Sequence, residues 1–136
     1  MATAESIYLG ELRTEATHLL SGTKIITDAP PDNNGKGEAF SPTDLVATAL
    51  ASCMVTIMGI AARGHGFNID GAKMSITKIM TTEPPRRIAE IIIDLTFPTD
   101  YPDQVKRIID HTAKNCPVAL SLHPDVIQTV RITYGS

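Results

Sequence analysis

From Leu45 to Ala62 the chain carries no charged side chain, only Leu, Val, Ala, Met, Ile, Cys, Gly and a few hydroxyls. The stretch Ser41–Arg63, SPTDLVATALASCMVTIMGIAAR, opens as a helix opens. Ser41 is a natural N-cap, Pro42 fits the first helical position, and Asp44 stands where a capping-box carboxylate belongs. Thr48, Ser52 and Thr56 recur every four residues and so occupy one narrow stripe. A helix apolar nearly all round is either a membrane span or the buried axis of a domain. The many small residues (Ala47, Ala49, Ala51, Gly59, Ala61, Ala62), the capping box and the lack of a flanking basic cluster favour the buried axis. Near the middle of this helix sits Cys53.

The whole chain, 136 residues, suits a single compact domain spanning 1–136. A formal charge of −3, three Phe, three Tyr and no Trp argue against a nucleic-acid surface, which needs a basic face with stacking aromatics. The segment MATAESIYLG has no basic region followed by an apolar run, so no secretory signal is expected. Together with only two cysteines, this points to a reducing, cytoplasmic setting without a permanent structural disulfide.

Around the central helix the pattern alternates between strands and shorter helices. Ser6 to Leu12, Thr14 to Leu20 and Lys24 to Thr27 read as short strands, with Ser21-Gly22 as a turn. The polar loop from Asp28 to Phe40 lacks both phosphate-loop spacings and reads as a plain surface connection. Arg63-Gly64-His65-Gly66 ends the central helix. Ala72 to Met80 alternates as a strand, and Arg86 to Phe97 forms a longer one. One face of that longer strand carries Ile91, Ile93, Leu95 and Phe97, and the other Arg86, Glu90, Asp94 and Thr96. A second helix is expected from Tyr101 to Asn115, capped by Thr99 or Asp100, with Val105, Ile108, Ile109 and Thr112 inward. PVALSL after Cys116 suits a short helical piece, and Val126 to Tyr134 closes the chain as a strand. The expected class is α+β, with antiparallel sheets wrapped around a long buried helix. A helix apolar on every side also implies more apolar surface than one chain can bury, hence a homodimer.

Cys53 and Cys116 are some sixty residues apart, and spacing alone fits two independent core thiols as well as a working pair. No CxxC, HxH or HExxH is present, the four histidines are scattered, and no GxSxG elbow appears, so metal and serine chemistry have no motif to rest on. Cys53 is mid-helix, far from a positive helix end, so a thiolate there needs a cation from elsewhere. Cys116 precedes Pro117 at the start of a short helix, where local physics lowers a thiol pKa more readily. On that ground alone Cys116 would be the nucleophile.

The pattern SPTDLVATALASC in a long apolar helix, followed by NCPVALSL after a second helix, resembles the OsmC/Ohr superfamily of osmotically inducible and organic-hydroperoxide-resistance proteins. The segments EPPRRIAEIIIDLTF and TDYPDQVKRIIDHTAKNCPVAL look more like its OsmC-like branch than like Ohr itself. The resemblance covers nearly the whole chain. It implies an OsmC-like fold, an intertwined homodimer with active sites at the subunit interface, and a thiol peroxidase without metal or organic cofactor. Cys53 would then attack the hydroperoxide, Cys116 would resolve the sulfenic acid as a disulfide, and an external dithiol would reduce it. That reverses the order that local physics favours. Arg86, in PPRR, resembles an arginine of the OsmC-like branch and would activate the thiolate. Arg13 lies in the N-terminal region that supplies the arginine in Ohr, although a solvated surface role suits it better. Family peroxidases carry a Glu directly after the helix-opening Pro, where this chain has Thr43. Asp44 follows as a candidate catalytic acid, yet it lies nine residues from Cys53, roughly 13 Å along a helix, and capping is a sufficient reason for it. With Thr43 in the acid's place, a non-enzymatic relative binding a small apolar or thiol-reactive ligand at the dimer interface is the alternative.

Overall fold

A computed structural model describes residues 1–135 of the chain. It divides into two compact units, Met1–Val46 and Ala47–Ser136. In the first, β1 (Ala4–Gly10), β2 (Arg13–His18) and β3 (Lys24–Asp28) form an antiparallel sheet in sequence order. The β1–β2 turn runs through Gly10, Glu11 and Leu12 with φ of 87°, 56° and 63°. Glu and Leu seldom take positive φ, so the sequence reading carried the first strand on to Leu12, whereas it ends at Gly10. Apolar side chains of this sheet, including Ile7, Leu9 and Ile25, stand exposed.

The connection from β3 to the central helix is more closely built than a plain surface loop. A 3-10 turn at Pro31–Asn33 folds it back, and the Gly35 and Gly37 N–H groups bond to the Pro30 and Ala29 carbonyls. A Cβ at Gly35 would collide with the Ala29 carbonyl, so only glycine fits there. The loop delivers the chain to α1 (Pro42–His65), whose start is the expected capping box. The Asp44 N–H donates to Ser41 Oγ and the Ser41 N–H donates to Asp44 Oδ2, both at 3.0 Å. At the far end Gly66 takes φ 75° and the Phe67 N–H reaches back to the Ala62 carbonyl, the bond that closes a Schellman stop.

In the second unit α1 packs one stripe against a sheet of order β4-β5-β6, made of β4 (Lys73–Met80), β5 (Ile88–Thr96) and β6 (Ile127–Thr133). The stripe is Ala47, Leu50, Ala51, Met54, Met58 and Ala62, spaced at i, i+3, i+4, i+7, i+11 and i+15. It joins Ile91, Ile93, Leu95 and Phe97 of the β5 segment and Ile109 of α2 (Asp103–Lys114) in one core. Each large side chain buried there contributes about 1.5–3 kcal/mol, which makes this core the main favourable term.

The α+β class, the two small sheets and the long central helix stand as expected. Three features differ. First, α1 is covered on one side only: Val46 and Ile60 are exposed and Cys53 is half-buried, because one sheet face reaches only part of a helix circumference. Second, β6 lies parallel to β5 rather than antiparallel, a pairing made possible by the long crossover through α2 and α3 (Pro117–Ser121). Third, Arg86 does not begin a strand. It lies exposed in the turn ahead of β5, which the Thr81 N–H closes by donating to the Arg87 carbonyl at 2.9 Å. Likewise α2 starts at Asp103 after Pro102 without a side-chain cap, and Asp100 instead pairs with Lys106 at 2.9 Å.

Candidate functional site

The fold brings Cys53 and Cys116 together, from the middle of α1 and the N-cap of α3. Both are free thiols, and Cys53, which packs against the core that holds Cys116, is near enough to raise the Cys116 pKa. The two thiols are therefore neighbours in the fold. Their environments differ in kind. Cys53 is partly exposed on the flank of α1, next to the buried Met54, whereas Cys116 is wholly buried in the core.

The position of Cys116 follows from local chain chemistry. Asn115 ends α2, Pro117 supplies a fixed φ at the first position of α3, and the residue before a proline is held extended. Cys116 accordingly has φ −75° and ψ 148°, and its sulfur accepts the Ala119 N–H at 3.4 Å. Burial pushes the Cys116 thiol above its ordinary pKa, and the adjacent Cys53 adds to the rise, against the Ala119 and Val118 N–H groups that favour the thiolate. This overturns the expectation that the helix start would make Cys116 the more acidic thiol. A five-residue helix offers a few N–H groups, and complete desolvation outweighs them.

The other candidates fall in different places. Asp44 has its carboxylate in the capping box at the start of α1, and Thr43 Oγ1 lies 3.2 Å from the Ser41 hydroxyl. Arg86 is in the Thr81–Arg87 turn, and the carboxylates further along β5 engage β6: Thr129 Oγ1 donates to Glu90 at 2.6 Å, and Arg131 stands 3.6 Å from Asp94. Arg13 is no solvated surface residue. Its Nε and Nη2 donate to the two oxygens of Asp28 at 2.7 and 2.8 Å, and Nη2 also reaches Glu38 at 3.1 Å. Asp28 is buried, and the Arg13 hydrogen bonds hold its carboxyl below the usual range while Asp28 raises the Arg13 pKa in return.

Sequence reasoning missed Asp28 and Glu38. The signal was within reach: Arg13 and Asp28 are directly opposite across β2 and β3. Each had been placed one residue outside its strand, which hid the pair. A cleft of about 500 Å³ also opens beside the second half of α1, lined by Thr56, Ile60, Arg63, Phe67, Ile69 and Asp70 among others. Thr56 and Ile60 are three and seven residues beyond Cys53, hence on the same side of the helix.

Comparisons with known proteins agree with the fold. A family model described as OsmC-like protein matches residues 35–130. Among solved structures, a candidate osmotic stress induced and detoxification response protein from Psychrobacter arcticus 273-4 is 53% identical, with TM-score 0.93 over 97% of this chain and 96% of that one. An OsmC-like protein from Mycoplasma pneumoniae is 21% identical, with TM-score 0.79 over 98% and 96%. An organic hydroperoxide resistance protein OsmC from Legionella pneumophila is 13% identical, with TM-score 0.75 over 98% of both chains. The last two share the fold. No match is found among curated proteins.

Proposed function

Because this chain belongs to the OsmC-like family, we propose that it is a thiol peroxidase that reduces organic hydroperoxides through Cys53 and Cys116. The observation that carries the reading is that a partly exposed thiol, Cys53, neighbours a buried one, Cys116. The Cys53 thiolate attacks the terminal oxygen of the hydroperoxide. The O–O bond breaks, the alkoxide leaves and takes a proton as the alcohol, and Cys53 becomes a sulfenic acid. Cys116 then attacks that sulfur, an S–S bond replaces the S–O bond, and water departs. Two thiol–disulfide exchanges with an external dithiol restore both cysteines.

Cys53 is the first nucleophile in this scheme because it is the accessible thiol, whereas the buried Cys116 is placed to meet only a sulfur beside it. The cleft beside Thr56 and Ile60 offers apolar walls for the organic part of the hydroperoxide. Arg86 is proposed as the cation that favours the Cys53 thiolate. Arg13 is a weaker candidate, since one guanidinium shared by Asp28 and Glu38 leaves that cluster without positive excess. The exposed apolar flank of α1 and the bare face of the first sheet support a homodimer as the working form.

The two cysteine variants test the scheme. Cys53→Ser should abolish hydroperoxide consumption. Cys116→Ser should permit one oxidation and stop at a Cys53 sulfenic acid, seen by mass after trapping with a 1,3-dione. Oxidation that survives in Cys53→Ser but not in Cys116→Ser would overturn the assignment.

A further inference from the structure

Five residues are too few for a helix to hold itself together in water, so whatever fixes α3 also fixes the sulfur that caps it. Bonds within the segment include Ala119 N–H to Cys116 Sγ at 3.4 Å, Leu120 N–H to the Cys116 carbonyl at 3.1 Å, and Ser121 Oγ to the Pro117 carbonyl at 2.7 Å. Another arrives from outside. Gln128 on β6 donates its Nε2 to the Ala119 carbonyl at 3.0 Å. Ala119 is thus gripped at both ends, its N–H on the sulfur and its carbonyl on a strand. The strand is a firm anchor, because Gln128 pairs in register with the fully buried Ile91 of β5. Val118 and Leu122 hold α3 to the core by packing, but apolar contact is non-directional and does not set the rotation of the turn.

We propose that Gln128 is a positioning residue for disulfide formation: through Ala119 it aims the Cys116 sulfur at Cys53. The reason it matters is geometric. A disulfide requires Cβ atoms about 3.5–4.5 Å apart and a torsion near a right angle, so a turn free to rotate closes the bond slowly. A sulfenic acid left waiting is open to further oxidation. The inference rests on the peroxidase reading for its biological setting, but the closure step itself needs only an electrophilic sulfur on Cys53. Oxidised glutathione supplies one: its disulfide is attacked by Cys53, reduced glutathione leaves, and Cys116 then displaces a second glutathione as the internal disulfide forms.

The test compares the unaltered chain with Gln128→Met, which keeps bulk and removes the donor, and with Gln128→Lys, which restores a donor at similar reach. Closure is followed by quenched mass analysis with oxidised glutathione in one arm and cumene hydroperoxide in the other. Gln128→Met should leave the first step at Cys53 unchanged and slow closure about three- to tenfold, the worth of one hydrogen bond. Its closure profile should also move to higher pH, because an Ala119 N–H that is no longer held supports the Cys116 thiolate less. Gln128→Lys should close near the unaltered rate. Closure by Gln128→Met at the unaltered rate and pH profile in the glutathione arm would overturn the proposal. Slow closure with glutathione but no reaction with cumene hydroperoxide in any variant would uphold Gln128 and overturn the peroxidase reading instead.

Discussion

At Cys116 two opposing influences meet, a helix start that favours a thiolate and a core that disfavours one, and burial prevails. The same contest has the other outcome at Asp28. This carboxylate is buried too, yet two hydrogen bonds from Arg13 and one from the Glu38 N–H keep it ionised. Its folded pKa lies below the unfolded one of about 3.9, so its contribution to stability is fully present above that pH and is lost as pH falls through the folded value. Denaturant midpoints should therefore drop as pH is lowered past about 4. Asp28→Asn should be less stable than the unaltered chain at neutral pH and should show a shallower acid decline. An equally steep decline would assign the effect to other carboxylates. For Arg86, replacement by Met should slow oxidation of Cys53 by cumene hydroperoxide at neutral pH about tenfold or more, with partial recovery at higher pH. A rate unchanged across the pH range would remove Arg86 from the site. The two cysteines were legible as residues, but their meeting was legible only through the family resemblance, since periodicity gives the angle of a side chain on its own helix and not its partner.

Among the elements, those with a strong local signal were read closely. Ser41, Pro42 and Asp44 set the start of α1, and Gly66 its end, because caps and stops are chemistry within a few residues. The alternation of Lys73–Met80 appears as the observed pattern of half-buried and exposed positions. What local pattern does not contain is pairing. The direction of β6 follows from the α2–α3 crossover, and the β1–β2 turn uses Glu11 and Leu12, residues without turn preference. The capping role of Asp44 has its own test. Asp44→Ala should lower stability by about 0.5–2 kcal/mol, in the range of a lost cap, measured by denaturant unfolding, and should leave the rate of Cys53 oxidation unchanged. A large loss of oxidation at full stability would return Asp44 to the catalytic site.

For the molecule as a whole, the unfinished surface is the feature to explain. Ile60 on α1, Ile7, Leu9 and Ile25 on the first sheet, and Leu120 on α3 all stand open to water. Such a distribution fits a chain that completes itself against a second copy. Light scattering at micromolar concentration should give twice the 14.6 kDa chain mass, and a stable folded monomer would count against the homodimer. The sequence showed the apolar surplus of the central helix, although it placed that surplus on every side rather than on one flank. The central claim is chemical, and it is reached most directly by counting thiols. The fully reduced chain, held without oxygen, receives one equivalent of cumene hydroperoxide, and free thiols are titrated in denaturant before and after. Both thiols should disappear, with one equivalent of alcohol released and a Cys53–Cys116 disulfide recovered in the digest. Two thiols per chain still present after the hydroperoxide has been given time to react would contradict that claim.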